Sequence, residues 1–298
     1  IFIHIVILMI SLKFFIELPI LLYMNLREIL EKRFHENEIK DMKGSFDIIG
    51  DAAILEIPDD LAHREKDVID ALLEIHPNIR TVYKKESERE GVYRLRDLKL
   101  IHGDENETEH KEHGLRIRLD VRKVYFSPRE GTERQRIAKQ VKANETVMVM
   151  FAGAGPYALA IGKNQPKVKK VYAIEINPDA YKYMVENVRI NKLGHKVVPI
   201  LGDVETECTK YFGKCDRVVM PLPKGAYEYL RLATSCLKKK GGHIHYYFWS
   251  SEDGIEEIKE IVEVDIREEK RKAKSMKTHK VSEYKPKILK FCIDIKAE

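Results

Sequence analysis

At 298 residues the chain has the length of one large domain or two smaller ones with a buried core. An apolar fraction of 44% with a net charge of only +5 excludes a globally disordered chain. The four cysteines, Cys208, Cys215, Cys236 and Cys292, show no CxxC spacing, which points to reduced, buried thiols and a cytoplasmic location.

The first 23 residues are strongly apolar, but Lys13, Glu17 and Pro19 break any uncharged run long enough to span a membrane. They also lack a basic start and a small-residue cleavage site, so a secretory signal does not fit. The favoured reading is a start-site artefact with Met24 as the first residue; a membrane anchor and, last, a buried extra element are the alternatives.

Residues 25–34 carry apolar side chains at helical spacing. Residues 46–57 read as strand, Gly-Asp turn, strand; 60–75 as a helix; and 78–84 as a short strand. The polar stretch 103–113 reads as a loop, and 115–124 alternates like a half-buried strand. Residues 24–114 are thus expected to form a small α+β domain.

From residue 144 strands and helices alternate, which implies a mostly parallel sheet. Strands are expected at 146–152, 171–176, 196–201, 217–222 and 243–248, and helices at 156–163, 178–192, 226–239 and 253–262. A last strand at 286–295 should pair antiparallel with one near 263–268. The fold class is α/β, Rossmann-like, with a seven-stranded sheet over 115–298.

In such a sheet ligands bind beyond the carboxyl ends of the strands. Gly153 and Gly155 follow the first parallel strand, let the backbone approach a ligand, and lead into a helix opened by Pro156. Glu175 ends the second strand, where a carboxylate can accept both ribose hydroxyls; Asn177 opens the next helix. Asp203, after the third strand, can accept from an adenine amino group. A lone GxG usually marks a tight turn, and a single strand-end acid is usually a helix cap. Together and in order they favour S-adenosyl-L-methionine. His243 and His245 share a strand face without a third ligand nearby, so no metal is expected and packing or hydrogen bonding is their role.

Basic residues cluster at 116–136, 238–240 and 267–280. Such patches suit a polyanion or are solvated lysine faces.

The segments VYFSPR at 124–129, GTER at 131–134, MFAG at 150–153, VYAIEINP at 171–178 and GHIHYY at 242–247 together resemble one family. It is that of the archaeal and eukaryotic tRNA guanine-37 N1-methyltransferases and the related wybutosine-pathway enzymes, the TRM5/TYW2 type. The resemblance runs from about residue 25 to the C-terminus. It implies a class I methyltransferase domain, a preceding RNA-contacting domain, a tRNA anticodon stem-loop as partner, and a monomer without membrane attachment. By the same resemblance Glu133 takes the proton from guanine N1, Arg134 stands near the guanine carbonyl, and Arg94 serves catalysis and tRNA contact. Tyr125, Pro128 and Arg129 line the pocket. Phe151, Pro221 and Pro223 join the cofactor residues, and Lys224 is a nearby cation for the substrate. General chemistry fits these roles, since N1 is a weak acid and its methylation benefits from a base and a cation.

Two positions depart from the family pattern. Val149 stands where the family has Asp, and Pro221 where it has an Asn whose amide faces the planar base. A wybutosine-pathway transferase or a catalytically inactive tRNA-binding relative therefore stand as alternatives.

Overall fold

The structure is a computed structural model that describes residues 25–104 and 107–298. The expectations for residues 1–23 and Met24 lie outside the described residues. The chain divides into two compact units. One comprises the described residues up to Glu90 with Arg96–Thr108, the other Gly91–Leu95 with Glu109–Glu298.

In the first unit, α1 (Leu26–Arg33) opens with a reciprocal cap in which Asn25 accepts from the Glu28 amide and Glu28 from that of Asn25. Strands β1 (Asp47–Ile49), β2 (Ala52–Leu55), β3 (Thr81–Lys85) and β4 (Leu98–His102) form a sheet in that order. Between β2 and β3 lie a 3-10 turn, Asp59–Arg64, and α2 (Glu65–Ile75). The turn occupies the start of the single helix expected at 60–75. Leu26, Leu30, Leu55, Leu61, Val68 and Leu72 are core residues of this unit.

The second unit begins with a hairpin whose first strand, β5 (Thr108–Glu112), starts at the boundary and pairs with β6 (Leu115–Leu119). The expected loop at 103–113 is thus corrected. β5 is polar because it belongs to a two-stranded ribbon with little core to cover, so its composition looks like a loop. β6 is correspondingly shorter than the expected 115–124.

The remaining elements in order are α3 (Gly131–Gln140), β7 (Thr146–Val149), α4 (Pro156–Asn164), β8 (Lys170–Glu175), α5 (Pro178–Ile190), β9 (Val197–Leu201), the single turn α6 (Val204–Glu207), β10 (Arg217–Met220), α7 (Leu230–Cys236), β11 (Gly242–Ser250), α8 (Ile255–Glu268), β12 (Ala273–Lys285) and β13 (Ile288–Ala297). The seven-stranded sheet has the order β12-β13-β11-β10-β7-β8-β9. From β11 to β9 neighbours are parallel, while β13 runs antiparallel to both β11 and β12. Pro199 is tolerated in β9 because that strand is an edge.

The strand expected at 263–268 is a correction: those residues continue α8, where Val262 and Ile266, four apart, are buried on one face. The partner of β13 is β12, whose lysine-rich sequence is that of an exposed edge strand and hides the strand pattern. The helix expected at 226–239 is a 3-10 turn, Ala226–Tyr229, followed by α7.

All four cysteines are buried and unpaired. No helix among the described residues is long and apolar enough to cross a membrane.

Candidate active site

The chain leaves β7 for β8 and β9 on one side, and β10 and β11 lie on the other, so the strand order reverses between β7 and β10. At such a switch point the carboxyl ends of neighbouring strands diverge and leave a crevice. Phe151 follows β7 and Pro221 follows β10, on the two sides of this point; Glu175 ends β8 and Asp203 follows β9.

The turn after β7 has three residues with positive φ: Phe151 at 55°, Gly153 at 57° and Gly155 at 89°. Phe151 is not a glycine, so its conformation stores about 1–3 kcal/mol of strain that neighbours must hold. They do so through Met150 N–H to the Val219 carbonyl and Ala152 N–H to the Ile174 carbonyl, both at 2.9 Å. The Phe151 ring packs edge-on against Tyr229 at 4.9 Å. A Cβ on Gly155 would sit 2.9 Å from Met184 Cγ of α5, so this glycine also permits close helix packing.

Glu175 is buried beneath this turn. Its Oε2 accepts the Gly153 N–H at 2.6 Å and its Oε1 the Asn177 N–H at 2.7 Å. Burial pushes its carboxyl up, and these backbone hydrogen bonds oppose the rise. A carboxylate offers about four lone-pair sites, so acceptor capacity remains for ligand hydroxyls. Glu175 therefore sets the shape of the glycine turn as well as presenting an acceptor. Asn177 caps α5 by accepting from the amides of Asp179 and Ala180, and its Nδ2 donates to the Lys123 carbonyl at 2.8 Å. One end of its amide thus caps the helix and the other ties the chain at Lys123 to the strand ends. Asp203 caps α6 through the Glu205 amide at 2.8 Å and is otherwise exposed. After β10 the backbone folds tightly, with Leu222 N–H donating to the Met220 carbonyl at 2.8 Å. Pro221 and Pro223 are half-buried beside this turn and Lys224 is exposed.

Tyr125 and Arg94 adjoin the turn. The Tyr125 carbonyl lies 3.7 Å from where a Cβ on Gly153 would stand. The Arg94 guanidinium lies 5.6 Å from the Tyr125 ring centre. Pro128 and Arg129 begin a 3-10 turn, Pro128–Glu130, that leads into α3.

Glu133 and Arg134 are on α3, and both are buried. Glu133 accepts from the Tyr247 hydroxyl at 2.5 Å and pairs with Arg136 at 2.7 Å. Arg136 also pairs with Asp294, which bonds His245 Nδ1 at 2.6 Å; His245 Nε2 in turn meets Arg217, itself paired with Glu145. Arg134 pairs with Glu112 of β5 and donates to the Ser127 carbonyl. For Glu133 to accept a substrate proton, its contact with Tyr247 or Arg136 must loosen.

Local sequence patterns do not single out Tyr247, Arg136, Asp294 or Glu112. An acid inside the apolar run of β13 is the available signal for Asp294. His245, Cys292 and Asp294 hold potential metal-ligand atoms within 4.8 Å of one another, but Arg136 and Arg217 already answer their charge and lone pairs.

Two of the basic clusters prove to be paired. Arg116 and Arg118 bind Glu109, Arg122 binds Asp120, and Lys238 and Lys240 bind Asp216. In the third, Lys274 meets Glu298 and Arg267 meets Glu263. Lys277 and Lys280 have no carboxylate partner among the described residues and are exposed.

Residues 108–278 match the TRM5/TYW2 methyltransferase domain, and residues 26–107 the TYW2 N-terminal domain. The chain is 48% identical over 210 residues to the tRNA (guanine(37)-N(1))-methyltransferase Trm5b of Pyrococcus abyssi, covering 70% of this chain and 61% of the relative. It is 40% identical to the Methanocaldococcus jannaschii Trm5b over 225 residues, 74% of this chain and 64% of that one. The chain thus spans less than two thirds of the length of these curated relatives. Among solved structures, a complex of aTrm5 with tRNALeu superposes with a TM-score of 0.79 at 34% identity, covering 92% of this chain and 78% of that one. TYW2 of M. jannaschii in complex with AdoMet gives a TM-score of 0.67 at 29% identity, with coverages of 85% and 99%.

Proposed function

The chain belongs to the TRM5/TYW2 methyltransferase family, and on that premise we propose that it transfers the methyl group of S-adenosyl-L-methionine to N1 of guanine 37 in tRNA. The observation that carries the cofactor reading is the Gly153–Glu175 hydrogen bond. It shapes a glycine turn at the strand-order switch and leaves carboxylate lone pairs for ribose hydroxyls. Asp203 at the next strand end is the acceptor for the adenine amino group, and Asn177 holds the wall of the pocket.

The identities to guanine-37 methyltransferases and the superposition on a tRNA complex support the substrate. In this reading Tyr125, Pro128, Arg129 and Lys224 lie along the base and its phosphates. Arg94 stabilises charge developing on the guanine carbonyl oxygen, and Glu133 accepts the N1 proton once substrate binding loosens its hold on Tyr247. Arg134 acts from behind, by fixing α3. The N-terminal unit serves as a further RNA contact, and the enzyme works as a monomer in the cytoplasm.

The test is methyl transfer from labelled cofactor to an unmodified tRNA transcript, read as the mass of the product nucleoside. Transfer that survives replacement of guanine 37 sinks the proposal.

Pro221 favours a second reading. It has no side-chain amide to face the base, and the N-terminal match is to the TYW2 type. A transferase of the wybutosine pathway would act on a carbon of a modified guanine and leave a different mass on the same nucleoside.

A further inference from the structure

A row of four side chains runs from the glycine turn to the tip of the β12–β13 hairpin. Its inner member is Tyr125, whose carbonyl adjoins Gly153. The Arg94 guanidinium follows, 5.6 Å from the Tyr125 ring centre and 5.1 Å from that of Trp249. Trp249 then stacks on Tyr284 with ring centres 4.1 Å apart and planes inclined by 12°. Trp249 lies on β11 and Tyr284 on β12, with β13 between them in the sheet.

Tyr284 is 43% exposed, at the solvent end of the row. Burial of apolar surface therefore does not account for its position. Cations predominate around it, with Glu283 as the acid beside it in the chain. Lys285 Nζ is 5.3 Å from its ring centre, and Lys280 and Lys287 are exposed without a carboxylate partner among the described residues. Most of the other basic residues in the clusters of this unit are paired with acids, so this edge is where unpaired positive charge and flat aromatic surface coincide.

That pairing of features is how proteins hold single-stranded nucleotides: cations follow the phosphates, and rings stack the bases without regard to sequence. An enzyme that draws one base out of a stack also leaves its neighbours without stacking partners. We propose that the Trp249–Tyr284 stack is a platform for a nucleobase flanking the reacting one, with the β12 lysines taking the adjacent phosphates. The inference rests on the RNA reading above and assigns a surface to it.

Trp249 is the only tryptophan of the chain, so its emission reports on the row alone. The full chain is titrated with an anticodon stem-loop transcript in the presence of S-adenosylhomocysteine, which prevents turnover. Saturable quenching of Trp249 is expected. Tyr284→Ala should weaken RNA binding about 5- to 150-fold, the range for losing one base–aromatic stack, with affinity for S-adenosylmethionine unchanged. Tyr284→Phe should restore binding, because only the ring face is needed. Lys280→Gln with Lys285→Gln should lower the slope of log affinity against log salt by about 0.7 for each phosphate that is no longer neutralised.

RNA that is methylated while Trp249 emission stays constant and Tyr284→Ala binds as wild type overturns the platform and leaves the proposed reaction standing. Failure of Tyr284→Phe to restore binding overturns it as well. A transcript that is quenched and bound but methylated elsewhere supports the platform and removes the guanine-37 assignment. RNA that neither binds nor reacts removes both.

Discussion

Arg134 holds Glu112 in a two-pronged ion pair, with Nε 2.7 Å from Oε1 and Nη2 2.5 Å from Oε2, and neither side chain reaches solvent to any extent. The pair fastens α3 to the β5–β6 hairpin, and the Ser127 carbonyl takes a third guanidinium hydrogen bond. The residue next to Glu133 is thus a structural fastening of α3 to the hairpin.

Arg134→Ala leaves the Glu112 carboxylate buried without its cation. Removing one partner of a buried pair costs about 3–5 kcal/mol. The expected result is a large loss of stability in urea unfolding, partly recovered by adding Glu112→Gln. Unchanged stability with lost methyl transfer would instead make Arg134 a catalytic residue.

Acid should destabilise the protein in two windows. Burial, with Arg217 nearby, brings the His243 imidazole down from 6.5 to about 4, so folding favours the neutral ring. That contribution is complete above 6.5 and is lost as pH falls towards 4. Burial alone would raise the Glu112 carboxyl, but hydrogen bonds from His110 and Arg134 bring it from 4.5 to about 2. Folding favours the charged form there, so its contribution is complete above 4.5 and is lost as pH falls towards 2. Unfolding free energy measured against pH should have a shallower upper slope in His243→Asn and a shallower lower slope in Glu112→Gln, the remainder coming from groups shifted the same way, such as His245 and Asp216.

Glu133→Gln should lower the rate of methyl transfer about 10²- to 10⁴-fold, the usual worth of a positioned base. The cofactor Kd should stay within a factor of two, since the carboxylate lies on α3 and touches Tyr247 and Arg136. Full activity in this variant would end the assignment of Glu133 as base.

Gly155→Ala places a methyl group 2.9 Å from Met184 Cγ at a φ of 89°. The strain and crowding should cost about 1–3 kcal/mol and loosen the turn that Glu175 holds. Thermal unfolding and calorimetric titration of S-adenosylmethionine should therefore weaken together. Glu175→Gln keeps the size but loses the charge that accepts two amides, and should weaken the cofactor without the loss of packing.

The cofactor turn was legible in the chain because its signals are local. Glycines after an apolar run, a proline opening a helix and acids at successive strand ends each act on their own backbone. The Asn177 and Asp203 caps belong to the same kind, and the structure places all of them at neighbouring strand ends. The strand β12 was not legible, because an edge strand carries lysines instead of an apolar pattern, and α8 ran on through the segment where its place was expected.

The sequence by itself determined the class of fold, the family and the position of the glycine turn. Only the tertiary structure decided what the charges do. Arg134 meets Glu112 from 22 residues away and Arg136 meets Asp294 from 158 away, so the 116–136 cluster is largely neutralised and the edge near Tyr284 is not. Whether an arginine is a buried fastening or a free cation depends on which carboxylate folding brings within hydrogen-bonding distance. That is a property of long-range packing, and no local pattern of residues encodes it.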